Sequence, residues 1–240
     1  MNSMFTNRPG VHESAHPLPF VPALGHPALT PLYAALSGLT RRTLRRFLRR
    51  AGIGPGMTVL DLGCGTGTLV LLIKQAHPTA RVVGLDVDPT VLEVARDALA
   101  RARVDAEVRQ GTVETAAFPP GSFDRVVTTF VLHHLTAEGK RSTLAASRRL
   151  LRPGGELHVA DFGPPHTVLM RLASLSLHAM GGERVAANIA GEIPALVREA
   201  GFAQVSRVAV ASSLLGTVTH WRATVPAHAA SVDSMRPDDH

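Results

Sequence analysis

A glycine-rich turn preceded by an acidic residue is the first feature that could do chemistry. Residues 59–67 read Val-Leu-Asp-Leu-Gly-Cys-Gly-Thr-Gly, with glycine at positions 63, 65 and 67. Glycines let the backbone approach a ligand closely where a strand ends. A dinucleotide-binding turn has its third glycine one position later, where Thr68 stands. The charge of Asp61 would repel a pyrophosphate, so we predict a ligand with an ammonium group.

A second carboxylate follows the next apolar run. Asp86 lies in the sequence Leu-Asp-Val-Asp-Pro over residues 85–89. In nucleotide-binding α/β folds, an acid at the end of the second strand binds ribose hydroxyls. Asp88 is better placed than Asp86 to cap a helix that begins near Pro89. We therefore predict that Asp86 binds a ribose.

Paired histidines after a later apolar run are candidate general bases. His133 and His134 stand in Thr-Thr-Phe-Val-Leu-His-His-Leu, and imidazole titrates near neutral pH. Asp161, at the end of a further predicted strand, and His166 just after it have similar claims. The alternative for each histidine is packing against a helix or binding a backbone carbonyl.

The elements that would position these residues alternate between two kinds of apolar pattern. Short apolar runs alternate with amphipathic segments, which predicts βαβ units and a mostly parallel sheet. The predicted strands are 57–62, 81–86, 105–110, 124–130 and 156–162, and the predicted helices are 67–77, 90–102, 137–151 and 187–200. The β runs 203–211 and 215–225 are predicted to form a terminal antiparallel hairpin.

Segments outside this alternation mark the limits of one domain. Proline-rich residues 1–30 are predicted to be a flexible N-terminal tail or lid, and the domain is expected to cover 31–225, beginning with a helix to Ala51. Residues 164–186 are predicted to be an apolar insertion over the active site. The polar residues 226–240 are expected to form a disordered tail.

Composition and charge narrow the class of protein. The formal net charge is +6, and lysine occurs only at positions 74 and 140. Six arginines between positions 41 and 50 are spaced around apolar residues, as on a solvated helix face, and a nucleic-acid or membrane patch is the alternative. The absence of a long apolar stretch or a signal-peptide pattern predicts a cytoplasmic protein without stable membrane insertion. One cysteine allows no internal disulfide, and no metal site is predicted.

Four motifs together resemble those of class I S-adenosylmethionine (SAM)-dependent methyltransferases. Residues 61–67 and Asp86 resemble the first two motifs, Gly-Ser-Phe-Asp-Arg-Val-Val at 121–127 resembles the fourth-strand motif, and Leu-Leu-Arg-Pro-Gly-Gly-Glu-Leu at 150–157 resembles the turn into the fifth strand. The pattern is most similar to small-molecule enzymes related to the ubiquinone/menaquinone C-methyltransferases. The resemblance implies an α/β, Rossmann-like, seven-stranded and mostly parallel sheet with helices on both faces, a terminal antiparallel hairpin and an N-terminal helical lid.

The resemblance also implies SAM as the cofactor and a set of residues around it. Thr112 stands where related sequences commonly have an acid, which is expected to weaken adenine recognition. The implied cofactor-binding residues are Asp61, Gly63, Cys64, Gly65, Gly67, Asp86, Val87, Thr112, Val113 and Thr129. The candidate catalytic residues are His133, His134 and Asp161, and the candidate substrate-binding residues are Tyr33, Phe130, His166 and Met170.

The predicted function is methyl transfer from SAM to a small, apolar or aromatic metabolite. The Asn/Asp-Pro-Pro-aromatic motif of base N-methyltransferases is absent after the fourth predicted strand, which argues against nucleic acid as the substrate. Two alternatives stay open: a SAM-binding enzyme that catalyses a non-methylating step such as cyclisation, and a non-catalytic SAM-binding partner subunit. A homodimer also stays open.

Overall fold

Strands and helices alternate through residues 41–227, the part of the chain that the computed structural model describes. The first element is helix α1, whose described part covers residues 41–50, and a 3₁₀ turn covers Leu132–His134. The other helices are α2 (Thr68–Ala76), α3 (Pro89–Arg101), α4 (Ala137–Leu150), α5 (Val168–Ala190) and α6 (Ile193–Glu199). The strands are β1 (Thr58–Leu62), β2 (Arg81–Asp86), β3 (Glu107–Gln110), β4 (Phe123–Thr129), β5 (Leu151–Phe162), β6 (Ala203–Ser212) and β7 (Thr217–Thr224).

All seven strands form one sheet in the order β3-β2-β1-β4-β5-β7-β6. Strands β1 to β5 pair in parallel, and β7 is antiparallel to both β5 and β6. The predicted mostly parallel sheet with a terminal antiparallel hairpin is confirmed. The strand order reverses between β1 and β4, and in such folds the ligand crevice lies at the carboxyl ends of the strands beside that reversal.

Helices cover both faces of the sheet, as predicted. Apolar residues of α1, α2 and α3 form one core with the sheet, and those of α4 and α6 form another on the opposite face. In α1, Leu44, Phe47 and Leu48 are buried, whereas the six arginines are exposed. The arginines thus lie on an exposed helix face, and their interpretation as a solvated face rather than a nucleic-acid or membrane patch stays a prediction. Within residues 41–227, no helix combines the length and the apolar character that crossing a bilayer requires.

The region between β5 and β6 differs from the prediction in its helix boundaries. The prediction of a single helix over 187–200 was wrong, because Gly191 (φ +84°) ends α5 and a separate helix, α6, begins at Ile193. A Cβ atom at Gly191 would lie 2.9 Å from Pro164 Cγ, so glycine is required by both conformation and space. The predicted insertion at 164–186 falls mainly in α5, which packs against β5 and the 3₁₀ turn and is kinked at Gly182 (φ 54°, ψ −144°).

The starts of two strands and the cap of one helix can also be compared with the prediction. Strand β3 begins at Glu107 rather than at 105, and β5 begins at Leu151 rather than at 156. Asp88 is the N-cap of α3, since its side chain accepts a hydrogen bond from the Thr90 N–H at 2.8 Å. Tyr33, the 1–30 segment and most of the 226–240 tail lie outside the described residues.

Candidate active site

The glycine turn after β1 is tied to the end of β2. The N–H groups of Gly63 and Cys64 both donate to the Leu85 carbonyl, at 2.8 and 3.1 Å. The Gly65 N–H donates to Oδ2 of Asp86 at 2.8 Å, and the Asp88 N–H donates to Oδ1 of the same carboxylate at 3.0 Å. A carboxylate has about four acceptor sites, so Asp86 can accept further hydrogen bonds from a ligand.

The three glycines of this turn have different surroundings. A Cβ atom at Gly63 would lie 2.2 Å from Val131 Cγ2, and one at Gly67 would lie 3.0 Å from Ala95 Cβ. These two glycines therefore allow close packing inside the protein. A Cβ atom at Gly65 would have nothing within 4 Å. Gly65 thus marks the side of the turn that is open to a ligand.

Asp61 is a buried carboxylate without a partner. Its exposed fraction is 1%, and neither side-chain oxygen has a hydrogen-bond partner among the described residues. Burial, followed by the nearby charge of Asp86, raises the pKa of Asp61 well above its usual value. An unpartnered buried charge is strongly unfavourable, so this position fits a site whose cation is supplied by a ligand.

Two of the predicted cofactor residues turn their side chains into the core. Cys64 is buried beside Gly84, where a Cβ atom would lie 2.8 Å from the Cys64 sulfur, and burial raises the pKa of its thiol. Val113 is 3% exposed and belongs to the core on the α4 side of the sheet. Each of these side chains is enclosed by other core residues, and the prediction that the two residues bind the cofactor stays a prediction. Only the backbone of either residue remains available to a ligand.

The remaining predicted cofactor residues lie at the carboxyl ends of β2, β3 and β4. Val87 follows β2 and is 40% exposed, which is unusual for an apolar side chain beside buried strands. Thr112 follows β3 and is exposed, with its hydroxyl oxygen 3.2 Å from that of Thr115. Thr129 is the last residue of β4 and is half-buried. The strand ends thus bring these three side chains to one edge of the sheet.

His133 and Asp161 form a dyad between the 3₁₀ turn and the end of β5. Nδ1 of His133 lies 2.8 Å from Oδ1 of Asp161, and the His133 N–H donates to Oδ2 at 3.2 Å. The Phe162 N–H also donates to Asp161, whose side chain is 3% exposed. Because an ionised carboxylate can only accept, Nδ1 carries the proton and Nε2 keeps a lone pair. This arrangement can remove a proton from an acceptor.

His134 has a different environment from His133. The two rings are tilted by 40° with centroids 3.9 Å apart, and the His134 residue is exposed at the surface. Partial burial of the imidazole, and then the neighbouring His133, lower the pKa of His134. Within residues 41–227 this ring has no hydrogen bond to a carboxylate, so the oriented imidazole there is that of His133.

Among the candidate substrate residues, His166 is hydrogen-bonded within the protein. Its Nδ1 lies 2.9 Å from the Thr217 hydroxyl and its Nε2 lies 3.3 Å from the Ser212 hydroxyl, so both nitrogens bind the β6–β7 hairpin. Met170 is buried in the first turn of α5. Phe130 follows β4 with φ +58°, and its ring lies 5.6 Å from that of Phe162. A left-handed phenylalanine at a strand end is the kind of strain that concentrates at functional sites.

Two buried polar groups on α4 and α5 were not predicted from the sequence. Lys140 on α4 is 1% exposed, and Asn188 on α5 is 0% exposed. Lysine is rare in this arginine-rich chain, and that rarity was a signal that could have drawn attention to Lys140. Nothing in the local sequence around Asn188 distinguishes it from an exposed helical asparagine.

Comparisons with known proteins agree with this geometry. A family model described as a methyltransferase domain matches residues 59–155. The ubiquinone/menaquinone biosynthesis C-methyltransferase UbiE of Cupriavidus taiwanensis is 36% identical over 129 residues, which are 53% of this chain and 52% of that protein. UbiE of Cupriavidus necator is 34% identical over 158 residues, which are 64% of each chain. The chain thus spans between half and two thirds of the length of these relatives.

Solved structures show the same fold. The SAM-dependent methyltransferase SibL, in its apo form, has a TM-score of 0.64 with this chain. The two are 25% identical, and the match covers 84% of this chain and 60% of that one. The YcgJ protein from Bacillus subtilis has a TM-score of 0.61 at 17% identity, covering 77% of this chain and 98% of that one. The methyltransferase domain family thus matches residues 59–155 of this chain, within a fold like those of SibL and YcgJ.

Proposed function

We propose that this protein binds SAM at the β1 turn and transfers its methyl group to a small, apolar or aromatic acceptor. The observation that carries the proposal is the buried, unpartnered carboxylate of Asp61. It stands beside a turn whose Gly65 is open to a ligand, and it needs a cation. The amino group of the methionine part of SAM is such a cation.

The other residues at the sheet edge fit the rest of SAM. Asp86 has acceptor sites left for the ribose hydroxyls after its two backbone hydrogen bonds. The exposed Val87 offers an apolar surface to the adenine ring, and Thr112 offers a hydroxyl to the adenine edge. When bound, SAM supplies a methyl group on a sulfonium, whose carbon–sulfur bond breaks as the acceptor bond forms, leaving a neutral thioether.

His133 is the proposed general base. Asp161 fixes the imidazole through Nδ1, so Nε2 is left to take a proton from an acidic O–H or C–H of the acceptor. Alignment of the acceptor in a site shielded from water supplies much of the remaining acceleration. The nearby Asp161 charge also stabilises the imidazolium that forms.

An apolar cluster beside the dyad supports an apolar or aromatic acceptor. Phe162, Leu177 and Val185 are buried together, with Phe130 and Ile189 packed against them. The Phe162 ring lies 4.8 Å from the His133 ring. An acceptor that reaches Nε2 of His133 would therefore meet aromatic and aliphatic side chains of β5 and α5.

Calorimetric titration with SAM, followed by mass spectrometry of phenol, quinol and amine acceptors, tests this function. A product heavier by one methylene equivalent marks methylation. His133→Asn should lower turnover by about a hundredfold or more while SAM affinity stays nearly unchanged. The matched control is His77→Asn, at the far end of α2, which should keep full turnover.

Other results would contradict the proposal in distinct ways. Consumption of substrate without a mass gain would favour cyclisation or another non-methylating step. Tight SAM binding with no product from any acceptor would favour a partner subunit. Normal turnover by His133→Asn would remove the base from the mechanism, and failure to bind SAM would refute the proposal itself.

The proposal also covers the class of acceptor, the cellular compartment and the oligomeric state. We infer a small-molecule acceptor rather than nucleic acid, and action in the cytoplasm as a monomer or a homodimer. The arginine face of α1 points to solvent and is the surface that nucleic acid would use. Absence of salt-dependent DNA or RNA binding would support this inference, and sedimentation would give the oligomeric state.

A further inference from the structure

The first half of α5 is apolar on two faces, and the protein covers only one of them. The covered face carries Met170 and Leu177, which are buried. The outer face carries four large apolar side chains, each between 60 and 77% exposed: Val168, Leu169, Leu172 and Leu175. Positions 168, 172 and 175 have the spacing of neighbours on one face of a helix. Helices that are apolar all round are normally buried, so the outer face lacks a cover within residues 41–227.

The turn between β6 and β7 extends this apolar surface. Leu214 and Leu215 lie in the turn and are 73% and 46% exposed. The Ser213 hydroxyl donates to the Gly216 carbonyl at 2.7 Å and accepts from the Leu215 N–H at 3.3 Å, which fixes the conformation of the turn. A Cβ atom at Gly216 would lie 3.8 Å from Leu177 Cδ2, so the turn packs directly against α5. We call the six exposed apolar residues of α5 and this turn the leucine patch.

The start of α5 is fastened to the same hairpin. The His166 ring lies 2.9 Å from the Thr217 hydroxyl and 3.3 Å from the Ser212 hydroxyl through its two nitrogens. The Thr167 hydroxyl then caps α5 by accepting from the Met170 N–H at 3.2 Å. Helix and turn therefore stay side by side and present the leucine patch as one surface. Large exposed apolar patches on folded proteins mark interaction sites.

The segments that carry the leucine patch contain basic but no acidic side chains. Neither aspartate nor glutamate occurs between Asp161 and Glu183, or between Glu199 and Asp233. Arg171 stands among the apolar residues of α5 and is exposed. The whole chain has a formal net charge of +6, so it is attracted to negatively charged surfaces. Charge complementarity thus favours an anionic partner for this patch.

The side-chain types in the leucine patch favour a lipid surface over a protein surface. All six residues are leucine or valine, and both types are under-represented among the residues that dominate protein–protein binding. The aromatic and methionine side chains that are enriched in protein interfaces do not occur among these six. Aliphatic side chains beside a basic residue are typical of helices that lie in the interface of a bilayer.

We propose that the leucine patch docks this protein on the surface of an anionic phospholipid bilayer. The leucine and valine side chains enter the boundary between headgroups and acyl chains, and the Arg171 guanidinium binds phosphate oxygens there. The inner face of α5 belongs to the apolar cluster proposed for the acceptor, so docking brings that cluster close to the membrane. The docking itself goes beyond methyl transfer and does not depend on the proposed function.

Co-sedimentation of the full-length protein with vesicles measures this docking. The wild type should bind phosphatidylcholine vesicles that contain about one third phosphatidylglycerol, and it should bind pure phosphatidylcholine more weakly. Leu172→Gln and Leu214→Gln should each weaken binding about tenfold or more, because burial of one leucine side chain is lost. Arg171→Gln should weaken binding about fivefold, and only to the anionic vesicles. The matched controls are Val94→Gln and Arg101→Gln on α3, which packs at the β2–β3 end of the sheet and should leave binding unchanged.

A fluorescent label identifies the surface that touches the bilayer. The only natural cysteine, Cys64, is buried and burial raises the pKa of its thiol, so an environment-sensitive nitrobenzoxadiazole dye will label an introduced surface cysteine. The emission of labelled Leu215→Cys should shift to the blue when anionic vesicles are added. Labelled Val94→Cys is the control and should show no shift, since Val94 is exposed on α3.

Other results would overturn the proposal and show what covers the patch instead. Emission of labelled Leu215→Cys that is blue-shifted without vesicles and unchanged by them would mean that another part of this chain or a second copy covers the patch, and sedimentation velocity separates these two. Vesicle binding that salt abolishes and that the leucine variants leave unaltered would assign the contact to the arginines of α1. SAM titration is independent, so a protein that binds vesicles but not SAM would refute the proposed function and support the docking.

Discussion

Asp61→Asn replaces a buried carboxylate by a neutral group of the same shape, and its effect on the unliganded protein has a definite sign. Burial and Asp86 raise the pKa of Asp61, so the folded protein holds a proton that the unfolded chain has released. The free energy of unfolding therefore falls as the pH rises from the usual carboxyl value of 3.8 towards the raised pKa. Asparagine does not titrate, so the variant should lack this decline.

The expected magnitudes differ between the free and the bound protein. Near pH 7 the unliganded variant should be more stable than the wild type by about 1 kcal/mol or more, since keeping a proton on the buried Asp61 carboxyl at that pH costs free energy that asparagine does not. With SAM, the variant loses the attraction between the carboxylate and the ammonium. A hydrogen bond between charged groups contributes about 1.5 to 3 kcal/mol, so SAM affinity should fall about ten- to hundredfold.

Two measurements together test this reasoning. Scanning calorimetry at pH 5 and pH 8 gives the stability of both proteins, and isothermal titration gives their SAM affinities. Asp88→Asn is the matched control, because asparagine caps a helix as well as aspartate does and Asp88 has its own partner. If Asp61→Asn bound SAM as tightly as the wild type, or lost stability with an unchanged pH dependence, the assignment of Asp61 would be wrong.

Three further changes have outcomes that the structure defines. Gly65→Ala should cost about 1 to 2 kcal/mol of stability through its left-handed backbone, yet SAM affinity should fall about tenfold or more because the methyl group enters the open side of the turn; unaltered affinity in a titration would place the ligand elsewhere. Gly84→Ala should destabilise by about 1 to 3 kcal/mol, because its Cβ would lie 2.8 Å from the Cys64 sulfur. Cys64→Ala should restore much of that loss in thermal melts, and a double variant no more stable than Gly84→Ala would contradict the contact. Burial lowers the pKa of His158 and lowers that of His220 to about 3, so below pH 6.5 only the unfolded chain takes up these protons. The free energy of unfolding measured in urea should therefore fall as the pH is lowered below 6.5, by up to about 1.4 kcal/mol per pH unit for each histidine. His220→Leu should reduce this pH dependence, and an unchanged pH dependence would contradict a buried neutral ring.

The sequence was sufficient for the sheet and the glycine turn because both depend on local patterns. Alternating apolar runs predicted the strands, and the positions of Asp61 and Asp86 followed from their place at strand ends. Asp88 as a helix cap was equally local, since an acid directly before proline is a common helix start. These features need only the residues next to them in the chain.

Features that depend on distant packing were not predictable in the same way. Cys64 and Val113 lie in or beside loops, and only the surrounding core shows that their side chains face inward. Both nitrogens of His166 bind hydroxyls that are 46 and 51 positions away in the sequence. The break at Gly191 likewise depends on contact with Pro164. No periodicity of a single sequence contains this information.

The two backbone hydrogen bonds of Asp86 have a consequence for how a ligand assembles in the site. One carboxylate supports both the Gly65 end of the turn and the Asp88 end of the next helix, and the proposed ribose contact would use its remaining acceptor sites. Occupation of the ribose position should then restrain the turn that receives the amino acid part. Two fragments, adenosine and methionine, should for that reason bind cooperatively, each raising the affinity for the other by the same factor although they share no covalent bond.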